Sequence, residues 1–172
     1  MDMSTAPATI AIRRPRRRDA VAVADIHAAA WREAYLGILP VPTLEAMIAR
    51  RGSARWFRAF QRSNGYRVID VGGACAGYSQ FGPARSRLSK SRAEIFELYL
   101  APEYQGIGLG SKLFADTRTQ AVKSCGRGLI VWALTENERA ARFYRSLGGR
   151  DGPRMVDTMG GREFEKRSWI WN

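Results

Sequence analysis

The chain has 172 residues, 45% of them hydrophobic, which suits one folded domain and argues against a disordered chain. No apolar run is long enough to cross a bilayer, and no apolar stretch follows the basic N-terminal run as a secretory signal requires. The formal net charge of +12 is compatible with a nucleic-acid partner, with anionic small molecules or with a solvated surface.

The chain is predicted to begin with a tail, a strand and a helix. Residues 1–8 are expected to be a disordered tail, and the stretch ATIAI (8–12) reads as a short first strand. The helix runs from Ala20 to about Tyr35, with Asp19 as its N-cap because a short side-chain oxygen can accept from the free first-turn amides.

A second helical region covers residues 43–63, with Gly52 as an interruption, and it carries a stripe of arginines. Four arginines recur at helical spacing and so share one face: Arg51, Arg55, Arg58 and Arg62. Aromatic residues occupy the other side, which is typical of an amphipathic packed helix. A solvated surface is the favoured interpretation of the stripe. The alternative is a nucleic-acid interface together with the cluster RRPRRR (13–18).

A hairpin and a further strand follow. Two β-rich runs over 65–81 flank the turn signal Gly72-Gly73, and residues 82–92 form a polar, basic loop. The stretch AEIFELYLAP (93–102) is a strand that its terminal proline stops, because the residue before a proline is disfavoured in a helix.

The last part of the chain is predicted to form two helices and three strands. A helix covers about 108–124, and the apolar run GLIVWAL (128–134) indicates a strand buried on both faces. The next helix ends at Gly148, and a hairpin joins strands 154–159 and 162–171. The order β-α-α-β-β-β-α-β-α-β-β predicts one mixed α+β domain over residues 1–172.

Metal and thiol chemistry find little support in the sequence. The one histidine, His27, and the two cysteines, Cys75 and Cys125, form no cluster with metal-ligand spacing, so no metal is predicted. The cysteines are interpreted as free thiols in a reducing cytoplasm, where we expect the protein to reside. A structural or exposed role is favoured for His27, since no Ser or Cys motif needs it.

The stretch QGIGLGS (105–111) places three glycines between a strand and a helix. The first amides of a helix have no partner inside it and carry the positive end of its dipole. Glycine lets a ligand approach the backbone closely, so this loop predicts a phosphate cradle to which Ser111 can add a hydroxyl. The spacing matches neither the dinucleotide fingerprint nor the P-loop, and a purely structural turn is the alternative.

The loop and its context resemble the GNAT superfamily of acyl-CoA-dependent N-acetyltransferases. Gln105, Gly108 and Gly110 fit the pattern Gln-x-x-Gly-x-Gly, the strand EIFELYLAP precedes it, and LIVWAL and NERAARFYRSLGG follow. The resemblance is firm over residues 93–148 and looser over WREAYLGILP. It implies a central, mostly antiparallel twisted sheet, flanked by helices and splayed at the strand that binds the cofactor.

The resemblance also implies how acetyl-CoA is bound. The pyrophosphate lies on the backbone of the loop: Gln105, Gly106, Ile107, Gly108, Leu109, Gly110 and Ser111. The pantetheine arm pairs with the main chain of the splayed strand at Leu98, Tyr99 and Leu100, where one amide polarises the thioester carbonyl. Asn137 matches the residue that contacts the pantetheine, and it is also a plausible helix N-cap.

The catalytic residues carried over are one phenol and one carboxylate. Tyr144 matches the usual general acid, and a phenol with a pKa near ~10 stays protonated at neutral pH to supply the leaving thiolate. A core aromatic is the alternative for Tyr144. Glu97 is the candidate that helps the acceptor amine lose its proton, because strand alternation puts it with Tyr99 opposite Phe96 and Leu98. Glu94 is the second candidate, although pairing with an arginine is preferred for it.

Cationic and aromatic residues complete the predicted site. Arg139 or Arg142 on the last helix could reach the nucleotide, with Arg145 and Lys112 nearby, and a solvated helix face is an equal alternative. Trp31 and Tyr35 share a helix face and could line the acceptor pocket, or Trp31 could pack in the core. Trp169 and Trp171 could form a homodimer interface or pack on a helix.

We therefore predict an N-acetyltransferase that moves an acetyl group from acetyl-CoA to a small-molecule or peptide amine by direct attack in a ternary complex. No cysteine motif argues for an acyl-enzyme. The alternatives are a non-catalytic acyl-CoA-binding module and a basic nucleic-acid binder. We expect no membrane partner and do not favour a nucleic-acid partner; a homodimer stays open.

Overall fold

One seven-stranded sheet organises the chain, seen in a computed structural model that describes residues 8–172. The expected tail therefore lies outside the described residues except for Ala8. The strands are β1 (Ile10–Arg13), β2 (Tyr66–Val71), β3 (Ala74–Pro83), β4 (Ala93–Leu100), β5 (Leu129–Leu134), β6 (Arg150–Met159) and β7 (Arg162–Trp171). Their order across the sheet is β1-β2-β3-β4-β5-β7-β6, antiparallel except for the β4–β5 pair. The predicted α+β class and mostly antiparallel sheet are confirmed.

Five helices flank this sheet. They are α1 (Asp19–Tyr35), α2 (Val41–Ala49), α3 (Ser53–Arg62), α4 (Leu109–Cys125) and α5 (Glu138–Ser146). The interruption predicted at Gly52 is complete, so the second helical region is two helices. None of the described helices is both long and apolar enough to span a bilayer.

Helices cover both faces of the sheet. Val68 and Ile69 are neighbours on β2 but belong to different apolar clusters, as strand alternation requires. The first cluster contains α1, α3 and Tyr78, and the second contains α4. A third cluster joins α4 and α5 to the strands near Trp169 and Trp171, which are 0% and 4% exposed. The two tryptophans therefore pack in the core and are not available for a dimer interface.

The predicted N-cap at Asp19 is wrong, because an ion pair takes this side chain instead. Asp19 is the first residue of α1, its side chain is buried, and it accepts from the guanidinium of Arg13 at 2.7 Å. The backbone N–H of Arg16 also donates to it at 2.5 Å. Burial raises the pKa of Asp19, but these hydrogen bonds outweigh burial and the pKa lies below its usual value. Since Arg13 also binds Asp70 at 2.6 Å, the ion pairs join β1, α1 and β2.

The sheet opens between β4 and β5. These parallel strands pair only over residues 93–95 of β4, and in the described part of the chain no strand pairs with the later residues of β4 on that side. A bulge lies at Phe96, since Glu97 pairs with Gln80 and Ile95 with Phe81. The bulge breaks the predicted alternation at Phe96, so that Ile95 and Leu98 contact the same cluster. The predicted splay of this strand is confirmed.

Candidate active site

The glycine-rich loop lies at the open end of the sheet and leads into α4. Gly106 and Gly108 have φ angles of +78° and +85°, in the left-handed region that favours glycine, and no atom lies within 4 Å of a Cβ built on either. The helix begins at Leu109, so the first-turn amides have no partner within the helix. The loop can therefore present backbone amides to an anion.

Ser111 continues this surface along α4. It lines a groove of about 1330 Å³ that also includes the cations Arg118, Lys123 and Arg127. Neither Glu97 nor its hydrogen-bond partners line this groove, so it is separate from the surroundings of Glu97.

Gln105 anchors the loop through its side chain. Its Nε2 donates to the carbonyl of Leu100 at 3.0 Å, and its Oε1 accepts from Arg139. Arg139 also forms an ion pair with Glu33 of α1 at 2.6 Å. Arg139, which was predicted to reach a nucleotide, is thus engaged with Gln105 and Glu33, while Arg142 is exposed on the same helix.

Asn137 is the N-cap of α5, as one of its two predicted roles required. Its Oδ1 accepts from the backbone N–H of Ala140 at 2.9 Å. Within residues 8–172 its NH₂ group makes no hydrogen bond, which leaves that group free to meet a ligand.

Tyr144 lies in an aromatic cluster at the same end of the sheet. Its ring is 5.3 Å from that of Trp169 and 6.1 Å from that of Phe114, measured between centroids. Burial raises the pKa of Tyr144 well above its ordinary value, so the phenol keeps its proton at neutral pH.

The predicted site residues from separate elements converge on Tyr99. Burial raises the pKa of Tyr99 well above its ordinary value. Three other predicted residues lie close enough to add to that rise: Glu97, Tyr35 and Tyr144. The structure thus brings the candidate base, the candidate acid and the candidate acceptor residue to one place.

Both carboxylate oxygens of Glu97 accept hydrogen bonds from other side chains. Its Oε1 accepts from the guanidinium of Arg51, and its Oε2 accepts from the hydroxyl of Tyr78 at 2.9 Å. The Tyr78 hydroxyl also lies 2.9 Å from Nδ1 of His27. Because the one hydroxyl proton of Tyr78 goes to the carboxylate, Nδ1 of His27 carries the proton that it donates to Tyr78.

Arg51 does not share the face of the other predicted stripe arginines. It lies in the break between α2 and α3 and turns towards Glu97, with its guanidinium 5.1 Å from the ring centroid of Trp56. Arg55, Arg58 and Arg62 line a separate surface depression. The stripe was predicted from helical spacing. Because α3 starts two residues after Arg51, that spacing does not apply to Arg51.

His27 is fully buried. Of the two roles predicted for it, structural or exposed, the structural one is therefore found. Burial lowers its pKa to about 3, with a smaller contribution from the charge of Arg51, so the imidazole is neutral. Its ring lies 5.0 Å from Trp31, and Trp31 lies 5.0 Å from Tyr35. Burial and the charges of Glu97 and Asp157 raise the pKa of Tyr35 to about 12.

Glu94 pairs with an arginine, as preferred from the sequence. The carboxylate is buried and accepts from the backbone N–H of Arg85 at 2.8 Å and from its guanidinium at 2.6 Å. Sequence reasoning missed Arg51 and Tyr78 as neighbours of Glu97. Only the pairing of Tyr78 opposite Tyr99 could have indicated one of them, and that pairing depends on strand register.

The fold and the sequence are those of an acyltransferase. The chain belongs to the Acetyltransferase (GNAT) family, whose model matches residues 23–148. It is 24% identical to the uncharacterized N-acetyltransferase YuaI of Bacillus subtilis over 137 residues, covering 80% of this chain and 78% of the relative. It is 29% identical to the L-amino acid N-acyltransferase MnaT of Escherichia coli over 142 residues, covering 81% and 78%.

A solved structure has the same fold. The PaiA N-acetyltransferase of Thermoplasma acidophilum, solved in complex with coenzyme A, superposes with a TM-score of 0.69 at 19% identity. The match covers 92% of this chain and 98% of that one.

Proposed function

We propose that this protein transfers the acetyl group of acetyl-CoA to an amine by direct attack in a ternary complex. The observation that carries the proposal is the open edge of β4, which carries Glu97 and Tyr99 and is followed by the glycine-rich loop. Leu98, on the same edge, packs against the cluster that contains Tyr144. A thioester bound along that edge would meet an acid and a base at its reacting end. The coenzyme A in the structure of the Thermoplasma relative supports this choice of co-substrate.

Acetyl-CoA would be held mainly by backbone groups. The amides of residues 105–111 would bind the pyrophosphate, because the α4 dipole and the free first-turn N–H groups favour an anion there. The main chain of Leu98, Tyr99 and Leu100 would pair with the pantetheine, and one of these amides would polarise the thioester carbonyl. The free NH₂ group of Asn137 would supply a further contact.

The proton transfers balance with two residues. Glu97 would accept a proton from the acceptor ammonium, and the resulting amine would attack the thioester carbon. When the tetrahedral adduct collapses, the carbon–sulfur bond breaks and Tyr144 would protonate the departing thiolate. The proton lost by the new amide nitrogen returns to Tyr144, and the proton on Glu97 leaves to solvent.

Direct attack is favoured because the cysteines are poor nucleophiles. Burial raises the pKa of Cys75 to about 11, and burial also raises the pKa of Cys125. The thiolate is the reactive form, so neither side chain suits an acyl-enzyme at neutral pH.

A calorimetric titration with acetyl-CoA tests the phosphate cradle. The variant Ser111→Asp adds a negative charge in the first turn of α4, which favours the helix but repels phosphate. Ser111→Asn has nearly the same size without the charge and is the matched control. We expect one-to-one binding to the wild type and to Ser111→Asn, and at least tenfold weaker binding to Ser111→Asp. Equal binding to both variants, or none to the wild type, would contradict the proposed site.

A further inference from the structure

The Arg51–Glu97 ion pair is the most buried charge arrangement at the acceptor side. The side chains of Arg51 and Glu97 are 28% and 11% exposed, and they come from the α2–α3 break and from β4. Tyr78 holds the second oxygen of Glu97, and Trp56 lies under the guanidinium of Arg51. The negative charge of Glu97 is therefore already neutralised by Arg51 before an acceptor amine binds there.

The charge balance of this pair discriminates between kinds of amine. A simple ammonium that binds Glu97 displaces Arg51. The half-buried guanidinium of Arg51 is then without a partner, and the three groups together carry one net positive charge. Removing one partner of such an ion pair is costly because the remaining charge stays desolvated. An acceptor with a carboxylate next to its ammonium supplies both partners, and the pocket stays neutral.

We propose that Arg51 and Glu97 together select a zwitterionic α-amino acid as the acceptor. Arg51 binds the carboxylate, for which its planar guanidinium gives two parallel hydrogen bonds, and Glu97 receives the ammonium. This inference rests on the proposed acetyl transfer and names the substrate class of the same site. Arg51 is then the residue that determines acceptor specificity.

The surroundings of the pair suit this acceptor. Because Tyr78 binds Oε2 of Glu97, the carboxylate keeps Oε1 for the ammonium once Arg51 turns to the substrate. In an α-amino acid the ammonium and the carboxylate are both bonded to Cα. The two charges are therefore close enough to bridge two side chains that touch each other. Trp31 and Tyr35 border the same place and offer aromatic surface to the amino-acid side chain.

Polycationic acceptors fit this pocket poorly. The chain has a net charge of +12, and three arginines of α3 that form no ion pair within residues 8–172 line a depression beside Tyr66. A polyamine would add like charge to both places, and like charges repel. Discrimination against such amines thus follows both from Arg51, which binds the carboxylate, and from the charge of the α3 arginines.

The test compares each amino acid with the amine that lacks its carboxylate. Phenylalanine is paired with phenethylamine and leucine with 3-methylbutylamine, and the methyl esters are included because they keep the substituent on Cα without its negative charge. Acetyl transfer is followed by release of the coenzyme A thiol, at equal concentrations of free amine. We expect kcat/KM to be at least tenfold higher for an amino acid than for its decarboxylated amine and its ester.

Variants of Arg51 assign this preference to one side chain. In Arg51→Gln we expect KM for the amino acid to rise at least tenfold with a smaller change in kcat, and the preference over the simple amine to disappear. Arg50→Gln is the matched control, because Arg50 is the exposed neighbour and has no ion pair within residues 8–172. Arg51→Lys keeps the charge without the planar fork and should fall between Arg51→Gln and the wild type.

Failure of this inference is distinct from failure of the proposed function. Wild-type transfer to simple amines as fast as to amino acids, or an unchanged preference in Arg51→Gln, would overturn the amino-acid assignment and leave acetyl transfer standing. If no amine releases thiol, calorimetry with phenylalanine in the presence of coenzyme A decides instead. Binding to the wild type that Arg51→Gln loses upholds the selection of a zwitterion, and absence of binding to the wild type refutes it.

Discussion

The buried His27 predicts a specific loss of stability in mild acid. The unfolded chain has an ordinary histidine with a pKa near ~6.5, whereas burial lowers the folded value to about 3. Between these two values the unfolded state binds a proton that the folded state does not. The stability contributed by neutral His27 is therefore present above pH ~6.5 and is lost as the pH falls below it.

The size of the effect follows from the same two pKa values. Each pH unit below ~6.5 costs about 1.4 kcal/mol, so the free energy of unfolding should fall by about 2 kcal/mol between pH 8 and pH 5. The paired carboxylates do not contribute to the change in stability between pH 8 and pH 5. Burial raises the pKa of Asp19, but hydrogen bonds from Arg13 and Arg16 outweigh it, and the hydrogen bond from Arg13 lowers the pKa of Asp70. Both carboxylates therefore have pKa values below the usual one, and the stability that they contribute is lost only at lower pH.

Urea denaturation at pH 8, 7, 6 and 5, followed by tryptophan fluorescence, measures this dependence. His27 is the one histidine of the chain, so no other histidine can contribute to a loss of stability in this pH range. The control is His27→Asn, whose amide can replace Nδ1 towards Tyr78 but does not titrate; it should be less stable at pH 8 and nearly flat down to pH 5. If wild type and His27→Asn lose stability in parallel, or the wild type does not lose any, the reasoning from burial is wrong.

Two further predictions concern the acid and the cofactor edge. Tyr144→Phe should bind acetyl-CoA like the wild type but transfer acetyl groups about 10²-fold more slowly, measured by thiol release; unchanged transfer would remove Tyr144 as the acid. Gly77→Ala should destabilise the protein by about 2 kcal/mol or more in urea denaturation, because the new Cβ would lie 2.7 Å from the backbone oxygen of Tyr99 as well as 2.3 Å from Leu100 Cδ2. Gly52→Ala is the control, since its nearest contact is at 3.8 Å, and equal stability of the two variants would contradict the packing argument.

The local structure of the proposed cofactor site was largely predictable from the sequence because its signals are contiguous. The loop of Gly106 and Gly108 needs left-handed backbone that glycine favours, and this property belongs to the residues themselves. The proline after β4 and the apolar run of β5 place that loop between a strand and a helix. Asn137 likewise combines a cap-forming side chain with the helix that follows it.

The acceptor side was readable only in part because its contacts join distant segments. Glu97, Tyr35 and Trp31 were proposed from the sequence, but the hydrogen bonds that define the environment of Glu97 come from residues 46 and 19 positions away, Arg51 and Tyr78. Arg51 was assigned to a helical stripe because its spacing fits one. Asp19 was assigned to a cap because its residue type suits one, and the ion pair with Arg13 prevailed.

Local chemistry in the sequence determined the order of the elements, the glycine-rich loop, the α5 cap and the family to which the chain belongs. These follow from backbone preferences and alternating hydrophobicity, which act over a few residues. The tertiary structure alone decided which charges neutralise one another and which aromatic residues are buried. Those outcomes depend on strand register and on the placement of α1 and α3 against the sheet, so no single segment contains the information that sets the partner of Glu97.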